Sequence, residues 1–153
     1  MSDLLLFARD NGLRLNLELK PCSGRTRATT MVALIEATTL WPDSAPPPLI
    51  SSFDIDALVI ASQLHPEWPR GLLLDDWRDD WRELAVQTRA STLNFNADLL
   101  TPERLTLLKT AHLPILAYTV NDAKQAVSLL QNGVSAVFSD DPAALLPALS
   151  AVT

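Results

Sequence analysis

Several functions are excluded by what this chain has little of. A single cysteine, Cys22, in 153 residues rules out an intrachain disulfide and any cysteine cluster for a metal. Four glycines leave no Gly-x-Gly-x-x-Gly turn after any apolar segment, which disfavours a dinucleotide-binding fold. Positive charge is outnumbered, 12 Lys and Arg against 18 Asp and Glu for a net −6. Nucleic-acid binders rest on clustered Lys and Arg, so no nucleic-acid partner is expected. No apolar run is long enough to span a bilayer. The opening Met1–Asp10 lacks the basic start and the length of a signal peptide and reads instead as the tail of an amphipathic helix. Cytoplasmic is the default compartment.

What is present is the makeup of one soluble globular domain, residues 1–153, with 48% hydrophobic and 20% charged residues. That length buries a real core. The eleven prolines fall at punctuation points rather than in a linker. The most informative segment is Leu13 to Pro21, where Leu13, Leu15, Leu17 and Leu19 alternate with Arg14, Asn16, Glu18 and Lys20. Alternation at period two makes a strand with one apolar and one polar face.

Downstream, strands and helices alternate. Arg25 to Trp41 has helical spacing, and Leu49 to Phe53 reads as a strand. A helix from Ile55 to Leu64 follows with Asp54 as N-cap. Gly71 to Leu74 is a buried strand, and Asp75 to Arg82 a loop leading into a helix through Thr88. In that loop Trp77 and Trp81 either line a cleft or cover apolar surface. Thr92–Asn96 is the next strand, and Thr101-Pro102-Glu103 opens a helix. Pro114–Val120 is a strand, and Asn121 caps a helix that stops at Asn132-Gly133. Val134–Ser139 is the last strand; Asp141-Pro142 opens a helix that Pro147 kinks or ends early.

This order gives about six β-α units with parallel strands. Polar residues close several strands at one end (Glu18, Lys20, Asn94, Asn96, Thr119, Asn121, Asp140), as in barrel active sites, so the fold class is α/β, part of a TIM (β/α)8 barrel.

The strand Leu15-Asn16-Leu17-Glu18-Leu19-Lys20-Pro21 resembles the Asn-x-Glu-x-Lys-Pro strand of glycerophosphodiester phosphodiesterases. So, in the family's order, do Ile50–Asp54, Gly71–Leu73, Leu100–Pro102, Ala117–Asp122 and Gly133–Pro142. The resemblance implies a phosphoric diester hydrolase that releases glycerol 3-phosphate and an alcohol, in lipid and glycerol metabolism, with a divalent metal, Mg²⁺ or Ca²⁺. It implies Glu18 as a metal ligand, Lys20 as the phosphate contact and Tyr118 as the aromatic wall of the substrate cleft, where the family usually has tryptophan.

The family's His-Arg-Gly strand, Glu-x-Asp strand and His-Asp hairpin, all upstream of the glutamate strand, have no counterpart here. Barrel strands three to eight remain. His65 and His112 follow helices and precede strands, the stability face of a barrel, and neither is assigned as general base. Asp140 and Asp141 end the last strand, Asp141 as a cap before Pro142. With one carboxylate, metal binding is expected to be weak or absent, and the isolated chain inactive. A missing N-terminal segment or a partner would complete an enzyme; alternatively the chain is a non-catalytic module holding phosphorylated ligands around Lys20 and Arg14. Cys22 is expected to be an inert free thiol. Removing two strands opens edges in a barrel, and a homodimer or other homo-oligomer covering them is expected.

Overall fold

The structure, a computed structural model, describes residues 1–42 and 44–150. Its elements are α1 (Ser2–Asp10), β1 (Asn16–Leu19), α2 (Thr26–Leu40), β2 (Leu49–Ser52), α3 (Ile55–Leu64), β3 (Arg70–Leu74) and α4 (Trp81–Thr88). There follow β4 (Thr92–Asn96), a 3-10 turn over Ala97–Leu99, α5 (Pro102–Lys109), β5 (Ile115–Tyr118), α6 (Ala123–Gln131), β6 (Ala136–Val137) and α7 (Pro142–Leu149). Six parallel strands alternating with helices make this an α/β fold of the partial (β/α)8-barrel kind, the class that the sequence indicates. The described residues fall into two compact units, 1–72 with 83–91, and 73–82 with 92 onward.

In the first unit β1, β2 and β3 are parallel, with Glu18 opposite Ser51 and Ser51 opposite Gly71. Helix α1 buries Leu5 and Ala8 and packs on α2, which packs in turn on α3 and β1. All five β3 residues are buried, as a strand covered on both faces requires. The departure is β1, where Asn16 and Glu18 are exposed while Leu19 is buried. The ordered strand is shorter than the alternating segment, which continues as extended chain at both ends.

The sequence reading begins β3 at Gly71 and passes over Arg70, which is 5% exposed. Its guanidinium donates to the carbonyls of Thr88 (3.0 Å), Arg89 (3.1 Å), His65 (3.3 Å), Pro66 (3.3 Å) and Trp68. Two of these are orphan carbonyls at the C-terminal end of α4, where a cation is favoured. The other three fix the loop entering β3. Burial holds the Arg70 pKa below its ordinary value, with Arg89 acting the same way and Glu67 opposing.

In the second unit β4, β5 and β6 are parallel, with Asn94 opposite Leu116, Asn96 opposite Tyr118 and Ala117 opposite Val137. Leu93, Phe95, Leu105, Leu108, Ile115 and Ala126 are buried. Trp81 begins α4 rather than lying in the loop and is 1% exposed, which makes it a core residue and not a cleft lining. Trp77 stacks on Phe95, 5.9 Å between centroids, with the Arg104 guanidinium 4.6 Å from its ring.

The cap of α6 also differs from expectation. Asp122, not Asn121, caps it by accepting from Gln125 N–H at 2.8 Å. A carboxylate one residue on takes the helix N-terminus, which leaves the Asn121 amide for another task. Asn121 Oδ1 accepts from Asp140 N–H (2.9 Å) and from the Ser139 hydroxyl (3.0 Å), and its Nδ2 donates to Asp140 Oδ2 (3.0 Å). These side-chain bonds tie the end of β5 to the segment after β6, where the ladder is short. Gly133 ends α6 at φ +92°. Asp141 caps α7, and Pro147 lies inside that helix, which ends two residues later at Leu149.

Replacing Arg70 by Met should lower unfolding stability by about 3 kcal/mol in urea titration, because buried carbonyls lose their donors. A loss below about 1 kcal/mol would show that Arg70 is not what holds this corner.

Candidate functional site

Alternation dictates the site. With Leu19 buried and Leu17 half-buried, the two-residue period sends Glu18 and Lys20 together to the other face. The Lys20 ammonium lies 3.3 Å from Glu18 Oε1, and the side chains are 73% and 32% exposed. Both stand at the C-terminal end of β1. An ion pair this open to water contributes little to stability.

The end of β1 is fixed by residues of the Ser51–Asp54 segment. The Ser52 hydroxyl donates to the Leu19 carbonyl at 2.7 Å and accepts from Asp54 N–H at 3.0 Å. Asp54 Oδ1 accepts from Ala57 N–H at 3.0 Å, capping α3, and Oδ2 accepts from the Thr26 hydroxyl at 2.7 Å. Two side chains thereby join β1, β2 and the starts of α2 and α3. The sequence reading identifies the Asp54 cap but misses Ser52 and Thr26; a serine two residues before a capping aspartate was the available signal. Ser51, opposite Glu18, is fully buried and its hydroxyl makes no hydrogen bond.

A cavity of about 310 Å³ adjoins β1, lined by Met1, Leu4, Leu17 and Leu34 as well as by Glu18 and Lys20. Its other walls are mainly apolar. Arg14 does not join Lys20: it precedes β1 and Lys20 follows it, roughly 20 Å apart along extended chain. Tyr118 closes β5 in the second unit, half-buried, opposite Asn96. The nearby Asn94 is fully buried; its Oδ1 accepts from the Thr92 hydroxyl at 2.8 Å and its Nδ2 has no hydrogen-bond partner. His65 follows α3 and sits 3.3 Å from Glu67, and His112 follows α5. Both lie in loops that enter strands, whereas Glu18 and Lys20 stand where a strand ends. Cys22 is free and exposed.

The model of the glycerophosphoryl diester phosphodiesterase family matches residues 4–144. The chain belongs to that family. Among solved structures it is similar to a phosphodiesterase from Oleispira antarctica in complex with the product sn-glycerol-3-phosphate, with 31% identity and a TM-score of 0.92 over 98% of this chain and 60% of that one. It is also similar to a glycerophosphodiester phosphodiesterase from Parabacteroides distasonis, with 18% identity and a TM-score of 0.80 over 98% and 63% of the two chains. A glycerol uptake operon antiterminator regulatory protein from Listeria monocytogenes shares the fold at 16% identity, TM-score 0.66, over 90% and 73%. No match was found among curated proteins. The chain spans less than two thirds of the length of the two phosphodiesterases.

The phosphodiesterase family generally binds a divalent metal, and the residues present can be tested against one. A hard dication takes six or more oxygens, usually with two or more carboxylates. Among the described residues no three of His, Cys, Asp and Glu are grouped to hold an ion, and Glu18 supplies one carboxylate, already facing an ammonium. These residues do not fit a metal by themselves.

Replacing Asp54 by Ala should cost about 1–2 kcal/mol of unfolding stability, through the lost cap and the bond from Thr26. Replacing Lys20 by Ala should cost below about 1 kcal/mol. Urea titration of the two variants checks the order; the reverse would mean that the exposed pair, and not the Ser52–Asp54 network, holds the end of β1.

Proposed function

We propose that this chain carries the phosphate-binding part of a glycerophosphodiester phosphodiesterase site, and that the isolated chain does not hydrolyse the substrate. Residues 1–153 are read as one truncated domain of the family. In this reading Lys20 contacts the substrate phosphate and Glu18 contributes a carboxylate to a metal site completed from elsewhere; Tyr118, in the second unit, is assigned to substrate binding from the family resemblance alone. The supporting observation is the Glu18–Lys20 pair at the open end of β1, in a chain whose fold matches a phosphodiesterase that binds sn-glycerol-3-phosphate.

Phosphodiester hydrolysis needs charge neutralisation at the phosphoryl oxygens, an activated nucleophile and a protonated leaving group. Lys20 supplies part of the first. For the others, His65 and His112 stand at the wrong ends of their strands, so the acid and base come from a partner or a further segment. The fold itself is not confined to hydrolases, as the antiterminator protein shows. Phosphate binding without chemistry is therefore the second reading. An exposed free thiol at Cys22 suits a reducing, cytoplasmic setting. Among the described residues no helix is long and apolar enough to cross a membrane.

The reading extends to a homo-oligomer, most simply a two-fold dimer. In its unit β1 is an edge strand, beside the apolar cavity. Leu4 and Phe7 on α1 and Val32 and Ile35 on α2 are each more than half exposed, an i, i+3 stripe on each of two packed helices. Such apolar surface favours a covering chain. Sedimentation should show association with rising concentration, and a monomer independent of concentration would contradict it.

The functional test pairs calorimetry with an assay. Glycerol 3-phosphate should bind the chain, and Lys20→Ala should weaken binding about tenfold. With Mg²⁺ or Ca²⁺ added, glycerophosphocholine should not be turned over. Turnover abolished by Glu18→Gln would show that the chain is a complete enzyme; absence of any glycerol 3-phosphate binding would overturn the assignment of Lys20.

A further inference from the structure

A second cavity, of about 320 Å³, lies in the first unit between the loops that enter β2 and β3. It is at the opposite end of the strands from Glu18 and Lys20. Its lining includes Trp41, Trp68, Pro47, Thr38, His65 and Glu67, and its volume is at the small end of the range for ligand sites.

Two hydrogen-bond donors of these walls are already used. The indole N–H of Trp41 donates to the Pro46 carbonyl at 3.0 Å, and the Thr38 hydroxyl donates to the Leu34 carbonyl at 2.8 Å. Both donors are thus committed within the protein. Among the described residues no Lys or Arg lines the cavity. The carboxylate of Glu67 is 62% exposed and meets His65 Nδ1 through Oε1 at 3.3 Å. What remains on offer is the two tryptophan rings, proline, the His65 ring and the carboxylate that His65 meets, a combination that attracts a cation and tolerates an apolar body.

One wall is also held in place before any ligand arrives. Arg70 donates to the carbonyls of His65, Pro66 and Trp68, and the His65 ring lies 5.3 Å from that of Trp68. The guanidinium spends its donors on the loop's backbone and fixes the residues that face the cavity. A wall ordered in advance lowers the entropy cost of binding.

We propose that this cavity binds a small organic ammonium ion. The site is independent of the phosphate site, so either assignment can fail alone.

Titration with tetramethylammonium chloride at constant ionic strength tests it, followed by tryptophan fluorescence and by the Trp41 indole N–H resonance. Tetramethylammonium should bind saturably. tert-Butanol, of similar size and neutral, should bind at least about tenfold more weakly. Glu67→Gln, a change at an exposed position, should weaken the ion about threefold without moving the unfolding midpoint. Glu18→Gln should leave it unchanged. No saturable binding, equal binding of the neutral alcohol, or indifference to Glu67→Gln would each overturn the proposal.

Discussion

Parallel strands that stop after a few residues leave backbone groups unpaired at both ends, and this chain depends on side chains that satisfy them. At the C-terminal ends Ser52 and Asp54 bind the Leu19 carbonyl, the first turn of α3 and the Thr26 hydroxyl. Asn121 does comparable work after β5, holding Ser139 and Asp140. At an N-terminal end Arg70 gathers five carbonyls. A buried backbone group without a partner costs more than a typical hydrogen bond gains. These few side chains therefore determine where the strands end, and so where Glu18 and Lys20 stand.

The same constraint explains what could be read from the sequence. Element types were legible because hydrophobic period and capping chemistry are local: Asp54, Thr101 and Asp141 each cap the helix that their sequence announces. The polar face of β1 was legible for the same reason, since alternation leaves Glu18 and Lys20 nowhere else to go. Arg70 was not, because its partners lie two to nineteen residues away and no local pattern marks a buried guanidinium. Ser52 and Thr26 were missed likewise, their partners being up to 33 residues distant. Asn121 failed as a cap through competition from the adjacent Asp122. Trp81 was ambiguous until α4 was seen to begin on it.

The candidate site was legible as a pair and not as a whole. Of the residue types that phosphodiester hydrolysis uses, the chain has two histidines, both in loops that enter strands, and one carboxylate beside the lysine. The structure adds that Glu18 faces Lys20 in the open and that Ser51, buried opposite it, has an unused hydroxyl. The proposed function thus gives this chain one part of a chemical task, the phosphate contact at Lys20.

The most direct test of this claim is to map glycerol 3-phosphate onto the chain by NMR. The account predicts shifts concentrated at the Lys20 ammonium and at the amides from Glu18 through Ser23 and of Ser51 and Ser52. Shifts confined to the loops that enter the strands, or scattered without saturation, would contradict it.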